Sequence, residues 1–218
     1  MKGLYAKDLR LLAKQKLFFF VTIFLTVLNA YNLESLAIAP ALMLFFFVML
    51  IFSTVTYDEM NHGLSFLFTL PVSRKKYVTQ KYSLALAGAI IALLLSVAII
   101  VIMASLQDRK VDFETLGVTL GGLFISGIVY ISLMMPVYLK FGEAKSRIIM
   151  IIIIGIIFFC IFLGSSLIER FDINIQGLIQ RISDIPLWLL LSAGAGTSVV
   201  FCVISYFLSL RIINKKEL

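Results

Sequence analysis

Charged residues are scarce in this chain. Only 14% of the 218 residues are charged and 61% are hydrophobic, whereas a soluble domain has about one quarter charged residues. The apolar residues come in long blocks and do not alternate with polar ones at a helical or strand period. Helices that are hydrophobic on every side need lipid as their solvent, so a soluble globular protein is excluded.

Residues that carry catalysis are also missing. The single histidine, His62, excludes a His-Glu-x-x-His zinc site, and none of the 13 glycines is followed by lysine, which excludes a P-loop. No Gly-x-Ser-x-Gly elbow occurs, and no ionisable residue lies near the middle of an apolar block, where ion-coupled transporters usually keep one. We therefore predict that the chain is not an enzyme. It should have no catalytic residue, metal or cofactor of its own, and another chain must supply the energy for any uphill transport.

Six blocks of the chain predict transmembrane helices. Crossing about 30 Å of hydrocarbon takes ~20 apolar residues, and five blocks reach that length. The first block is shorter and carries Thr22, Thr26 and Asn29. It is still predicted to cross, because basic clusters before it and after the next block both favour the cytoplasm, which requires an even number of crossings. The predicted spans in this single transmembrane domain, residues 1–218, are about 17–32, 37–56, 83–105, 116–138, 148–168 and 186–210.

Basic residues divide unevenly between the two sides of the membrane. With six crossings, fifteen of the 19 Lys and Arg fall in cytoplasmic segments and four in outer loops, whereas five acids fall inside and seven outside. The positive-inside rule therefore predicts that both termini are cytoplasmic. The net charge of +7 follows from topology and anionic lipid, and it needs no nucleic-acid partner.

Two segments outside the spans have helical patterns of their own. Residues 1–16 predict an amphipathic helix on the cytoplasmic surface, with a merely charged tail as the alternative. Its apolar face would hold Tyr5, Leu9, Leu12 and Ala13, and its basic face Lys7, Arg10 and Lys14. The outer loop at residues 169–185 repeats apolar residues at helical spacing. It predicts a helix that dips into the outer interface, with a plain structured loop as the alternative.

The largest cytoplasmic loop, residues 57–82, is the most informative segment. Its apolar centre, Leu64 to Leu70, is too short to cross a membrane, and apolar residues in a cytoplasmic loop need a partner surface. Pro71 ends this stretch, and Ser73 can cap a new helix. The loop thus predicts a short helix, a turn and a basic entry into the third span. Its apolar centre either docks another protein or rests on lipid headgroups.

Small residues recur in the fourth and sixth predicted spans, as Gly117-x-x-x-Gly121 and Ser192-x-x-x-Gly196. Such residues let helix backbones approach closely in lipid. Packing within the chain is the default interpretation, and a seam between two copies is the alternative.

The loop also resembles a known family. Its pattern Glu59-x-x-x-Gly63, then Leu70-Pro71-Val72-Ser73-Arg74-x-x-Tyr77-Val78 and Lys81, resembles the first cytoplasmic loop of small bacterial ABC-2-type permeases. The start of the chain, Gly3-Leu4-x-x-Lys7-Asp8-Leu9, resembles how those subunits begin. The resemblance implies an all-α integral membrane fold of the ABC-2 (type V) exporter kind in the bacterial cell membrane. It further implies a homodimer or paralogous heterodimer of permeases, and separate cytoplasmic ATPase subunits that bind ATP and Mg.

The same resemblance implies that the loop after the second span is a coupling helix that contacts the ATPase. Matching positions make Glu59, Gly63, Leu70, Pro71, Ser73 and Arg74 the candidates, and the apolar patch adds Phe66 and Phe68. The compact form is similar to permeases that export amphipathic peptides such as phenol-soluble modulins. Uncharged spans favour an amphipathic or hydrophobic cargo, and bacteriocin-type peptides, drugs, lipids or haem are the alternatives. The alternative function is a membrane scaffold or immunity protein that transports nothing.

Overall fold

The computed structural model describes residues 2–31, 36–60, 63–69, 72–170 and 186–216. Within these ranges the chain is helical apart from short turns, and it contains no strand. The predicted outer interfacial helix falls mostly on residues 171–185, which lie outside the described residues, as do Leu70 and Pro71. The helices are α1 (Lys2–Lys14), α2 (Lys16–Tyr31), α3 (Ile38–Glu59), α4 (Gly63–Thr69), α5 (Arg74–Leu106), α6 (Phe113–Arg170) and α7 (Leu187–Lys215).

Four helical segments are long and apolar enough to cross a membrane. They are α3, α5, α7 and the first limb of α6, Phe113–Gly142. Helices α1 and α2 meet at a bend of 68° and together make a fifth candidate, and α6 continues into a shorter apolar helix, Ile148–Cys160. The prediction of an all-helical, multi-pass membrane protein is therefore confirmed. The count of six crossings depends on the two shorter segments and stays a prediction.

Helix α2 buries small and polar side chains and exposes large apolar ones. In α2, Thr22, Thr26 and Ala30 are buried at a spacing of four residues, while Phe20 and Phe24 are exposed. The two threonine hydroxyls each donate to a carbonyl oxygen one turn earlier, at 2.8 Å. Lipid tails are as apolar as leucine, so close packing and hydrogen bonds hold such helices together. Burial of polar side chains and exposure of apolar ones is the reverse of the pattern in a soluble protein, and it agrees with a helix surrounded by lipid.

Helices α2 and α3 run antiparallel. Gln15, just before α2, donates to the Ser53 hydroxyl near the end of α3 at 3.0 Å, whereas Thr26, further along α2, contacts Met43 nearer the start of α3. Helix α5 is antiparallel to α3 as well, because the ion pairs described below join its start to the end of α3.

Helix α6 reverses direction at Gly142. This residue has φ +70° and ψ −177°, a backbone conformation that is essentially restricted to glycine. Beyond it, Ser146 donates to the carbonyl oxygen of Val137 at 3.3 Å, and the Tyr130 hydroxyl lies 3.7 Å from the sulfur of Met150. The second limb of α6 therefore runs back along the first.

Helix α7 runs parallel to the first limb of α6. Gly194 near its start faces Ile125, and Lys216 just after its end donates to the carbonyl oxygen of Leu139 at 3.1 Å. Both helices end on the same side of the bundle. The chain between the end of the first limb of α6 and the start of α7 must therefore cross back to the opposite side.

The bundle has two chemically different ends. One end gathers α1, the end of α3, α4, the start of α5, Gly142 and the end of α7, and we call it the basic end after its lysines and arginines. At the other end, Gln107 donates to the carbonyl oxygen of Tyr31 at 2.9 Å. Asp112 caps the start of α6 there, and hydrogen bonds from the hydroxyl and N–H of Thr115 lower the pKa of its carboxyl group.

Candidate functional site

Four charged groups meet between α1, α3 and α5 at the basic end. The Lys81 ammonium lies 2.7 Å from Asp8 Oδ2 and 2.8 Å from Asp58 Oδ2, and it donates to the Thr54 hydroxyl at 2.9 Å. Lys7 pairs with Asp58 and lies 3.4 Å from Asp8 Oδ1. We call Lys7, Asp8, Asp58 and Lys81 the charge cluster. Its two cations and two anions sum to zero charge.

Three of the four side chains of the charge cluster are removed from solvent, and the fourth, Lys7, is 33% exposed. The side chains of Lys81 and Asp8 are fully buried and that of Asp58 is 5% exposed. Two uncharged donors complete the site: Gln80 donates to Asp8 Oδ2 at 2.8 Å and Tyr77 to Asp58 Oδ2 at 3.2 Å. Among the described residues Asp8 Oδ1 has no hydrogen-bond partner, and the Lys7 ammonium is its counter-charge. A buried charge needs this degree of compensation, since desolvation costs several kcal/mol for each ion.

The charge cluster sets the orientation of α1. Leu4 and Asp8, one turn apart, are the residues of this helix buried against the bundle, and Tyr5 is hydrogen-bonded to Ser83. Leu9, which the sequence pattern assigns to the apolar face, is 56% exposed. Residues 2–14 are helical, and of the predicted apolar face Tyr5 and Leu12 are half-buried whereas Leu9 and Ala13 are exposed. The ion pairs of Asp8 therefore shift the packed face of α1 toward Leu4 and Asp8.

Glu59 lies inside the basic end and contacts other parts of the same chain. Lys216 donates to Glu59 Oε1 at 2.5 Å. A Cβ atom added at Gly142 would lie 2.5 Å from Glu59 Oε2, so the carboxylate packs directly on the turn of α6. Glu59 thereby joins the end of α3 to the turn of α6 and to the C-terminal end of α7.

Arg74 makes a similar internal link at the start of α5. Ser73 caps the helix as predicted, accepting from the N–H three residues later at 3.3 Å. The Arg74 guanidinium donates to the carbonyl oxygens of Ile213 at 2.8 Å and Asn214 at 2.7 Å. The last turn of a helix leaves such carbonyls without helical partners. Arg74 also lies 5.7 Å from the ring centroid of Phe68, and so connects α4, α5 and α7.

Helix α4 has one face in the bundle and one face outside. Leu64 and Leu67 are 3% and 7% exposed and belong to the apolar core, and the ring of Phe68 packs edge-on against Tyr77. Phe66 points the other way and is 70% exposed. Among the described residues of the predicted docking patch, Phe66 is therefore the one large side chain that points outward. The helix that carries it is fixed to the bundle by its other face.

Gly63 allows α4 to begin where it does. A Cβ atom at this position would lie 2.8 Å from the carbonyl oxygen of Asp58, closer than side-chain carbon atoms approach. The glycine of the predicted coupling motif thus has a packing role at the junction of α3 and α4.

Most residues of the predicted small-residue stripes do not pack against another helix of the same chain. Gly121 faces Leu191 of α7, where an added Cβ would lie 3.4 Å from the leucine side chain. The other three predicted residues lie on the exposed surface: Gly117, Ser192 and Gly196. Tight packing within the chain occurs elsewhere, at Gly127 against Leu44, where the corresponding distance is 3.0 Å.

These features define a multi-pass membrane protein whose basic end is held together by ion pairs and hydrogen bonds between distant parts of the chain. The sequence profile of a family described as ABC-2 family transporter protein matches residues 3–214. The chain belongs to this family, so it is a permease component of an ABC transporter in the cell membrane, and the resemblance to ABC-2-type permeases is confirmed. Permeases of this family generally work with ABC ATPase subunits. No curated protein and no solved structure gives a significant match.

Proposed function

We propose that the chain is the permease subunit of an ATP-driven exporter whose energy comes from separate cytoplasmic ATPase subunits. The sequence has no P-loop, so those subunits would bind ATP and Mg, and this chain is not an enzyme. A second permease copy, identical or paralogous, completes the translocation path. The cargo is amphipathic or hydrophobic, with peptides such as phenol-soluble modulins as the first candidates, because the predicted spans carry no charge near their middle.

Six crossings with both termini in the cytoplasm are part of this proposal. The reversal of α6 at Gly142 and the parallel course of α7 support it, since each helix then alternates in direction along the chain. Helix α2 has 16 residues, about 24 Å at the helical rise, against ~30 Å of hydrocarbon. The first crossing therefore requires residues beyond α2 or local thinning of the bilayer.

The observation that carries the proposal is the exposed ring of Phe66. Leu64 and Leu67 hold α4 in the core of the basic end, so the helix cannot turn this ring inward. A large aromatic side chain presented on a rigid support is typical of interface hot spots, where truncation costs ~2 kcal/mol or more. The ring is therefore suited to fill a pocket on a cytoplasmic partner.

Replacing Phe66 with alanine tests the docking role. We expect Phe66→Ala to weaken association with the partner ABC ATPase by about 30-fold, the equivalent of ~2 kcal/mol. Export should fall with it, while insertion into the membrane is kept. The measurement is co-purification of the ATPase together with cargo export from cells.

A matched control is Phe158→Ala on the second limb of α6, because that ring is 73% exposed but lies in an apolar span. It should leave ATPase association unchanged. If Phe66→Ala also leaves association and export unchanged, α4 rests on lipid and the scaffold function becomes the better proposal.

A further inference from the structure

An open apolar groove lies beneath α1, next to the charge cluster. It has a volume of about 310 Å³ and is lined by α1, α2, α3 and α5 with apolar residues only. Leu9, Leu12 and Ala13 form its α1 wall, and Ala87 and Ile91 are among the lining residues on α5. Leu9 is 56% and Ile91 49% exposed, so the groove opens to the surroundings of the bundle.

The groove extends from the surface helix toward the middle of the bundle. Ala87 and Ile91 follow Lys81 by six and ten residues, which is about 9 Å and 15 Å along the axis of α5. Lys81 is part of the charge cluster at the basic end, so the groove begins near that end and continues into the apolar part of the span. Its depth and lining suit a hydrocarbon chain aligned with the helices.

Positive charge borders the groove at its α1 wall. Arg10 and Lys14 directly follow the lining residues Leu9 and Ala13, so each lies about 100° round α1 from its lining neighbour, and both lie on the same flank of the helix. Both are exposed, and within the described part of the chain neither forms an ion pair. Lys7, by contrast, is neutralised by Asp58. The groove therefore has an apolar interior and an unneutralised cationic rim.

We propose that this groove binds one anionic phospholipid of the surrounding membrane. One acyl chain occupies the apolar groove, and Arg10 and Lys14 bind the headgroup phosphate. The apolar lining rejects the headgroup, and the cationic rim selects an anionic lipid over a zwitterionic one. The groove contains no residue of α4, where the proposed function places ATPase docking.

Photocrosslinking of the full chain in vesicles tests the acyl-chain part of this proposal. The probe is phosphatidylglycerol with a diazirine in one acyl chain, and labelled peptides are mapped by mass spectrometry. We expect labelling of α1 and of α5 near Ala87. Ala87 is exposed, so Ala87→Phe fills the groove without displacing a packed neighbour. It should lower labelling about tenfold, the effect of removing roughly two buried methylene groups.

The control Leu94→Phe adds a ring to the same face of α5 two turns deeper, at a residue that is 65% exposed and outside the groove lining. It should leave labelling unchanged. Equal labelling of the two variants and the unaltered chain would overturn the proposal. Absence of labelling on α1 and α5 in the unaltered chain would overturn it as well, because the groove would then hold no acyl chain.

The cationic rim is tested with a second variant, which does not depend on how Ala87→Phe folds. Arg10→Gln combined with Lys14→Gln should reduce the preference for phosphatidylglycerol over phosphatidylcholine carrying the same probe, by about fivefold for each charge removed. The pair Lys75→Gln and Lys76→Gln removes the same charge from exposed positions at the same end, away from the groove, and should keep the preference. An unaltered chain that labels equally with both lipids would overturn the headgroup assignment.

Discussion

Lys81 is fully buried at the basic end, yet it contacts two carboxylates and a hydroxyl group. A buried ion pair adds little net stability compared with an apolar residue of the same shape, but leaving one of its members unpaired is costly. The charge cluster therefore contributes chiefly to the specificity with which α1 packs, and less to the stability of the fold. It allows α1 to pack in only one register, because any other register separates Asp8 from its cation.

Removing the Lys81 ammonium should detach α1. In Lys81→Met, Asp8 and Asp58 share the single charge of Lys7, and we expect a loss of about 3–5 kcal/mol in the free energy of unfolding. Thermal unfolding of the purified protein and limited proteolysis of α1 measure the two consequences. The surface variant Lys75→Met is the control and should change neither.

A charge-balanced double variant separates electrostatics from packing. Lys81→Met with Asp8→Leu leaves the Lys7–Asp58 pair neutral, so it should be more stable than Lys81→Met alone. If the double variant is the less stable of the two, shape and not charge compensation holds α1 in place.

Helix ends at the basic end are joined by side chains from distant parts of the chain. Arg74 at the start of α5 satisfies carbonyl groups at the end of α7, and the Tyr82 hydroxyl lies 2.6 Å from Ser205 and 2.8 Å from Ser209 along the same pair of helices. Glu59 similarly links the end of α3 to the turn of α6. Because Phe68 of α4 contacts Arg74, we expect a motion of α4 to reach α5 and α7.

Reversing the charge of Arg74 tests this transmission. Arg74→Glu places a carboxylate against carbonyl oxygens and removes charged hydrogen bonds worth about 2 kcal/mol, so the end of α7 should loosen. The hydroxyl contacts of Tyr82 should keep the rest of α7 in place. We expect faster proteolysis within the last turns of α7. We also expect that ATP hydrolysis by the partner ATPase no longer depends on cargo.

The control Lys75→Glu makes the same charge change at an exposed neighbouring position. If Arg74→Glu resists protease as well as the unaltered chain does, the link between α5 and α7 is contradicted.

The whole molecule is a bundle with one basic end and one end that carries Gln107 and Asp112. Residues at the same end of the bundle must lie on the same side of the membrane. Once an experiment places one residue on a given side, the directions of the helices give the side of all the others. Lys76 and Lys216 share the basic end, and Asp112 is at the opposite end. Leu33, also expected on the outer side, lies outside the described residues, and Glu143 follows the turn at Gly142.

Cysteine labelling tests the topology. In a background without Cys160 and Cys202, we expect an impermeant reagent to label Asp112→Cys in intact cells and to label Lys76→Cys and Lys216→Cys only after the membrane is opened. The reason is the excess of basic residues at one end, which favours the cytoplasm. Labelling of Lys76→Cys in intact cells would contradict the proposed orientation.

Association of two copies is tested at the exposed small residues. An added Cβ atom at Gly117 meets no atom within 4 Å, so Gly117→Leu should weaken association between copies without lowering the stability of the single chain. Gly127→Leu is the contrasting variant, because it collides with Leu44 and should destabilise the chain itself. Subunit counting by single-molecule photobleaching in vesicles measures association. Unchanged association in Gly117→Leu would show that this stripe faces lipid.

The sequence by itself determined the solvent, the class and the family of this protein. Long apolar blocks require lipid, and the Leu70–Arg74 motif carried the family resemblance that the match over residues 3–214 confirmed. The cap at Ser73 was also predictable, since it depends on an interaction between residues three positions apart. Composition, length and local hydrogen bonds are properties that a linear chain already contains.

Only the tertiary structure decided which residues of the loop and of α1 face outward. Asp8 and Lys81 are 73 positions apart, and each carries a charge that the sequence pattern assigns to a cytoplasmic surface. Phe66 and Leu67 are adjacent and equally apolar, but one is 70% and the other 7% exposed. A periodic pattern shows which residues share an apolar helix face, but it does not show what that face packs against. Pairing between distant charges outweighs that pattern, because an unpaired buried charge costs more than exposing one leucine.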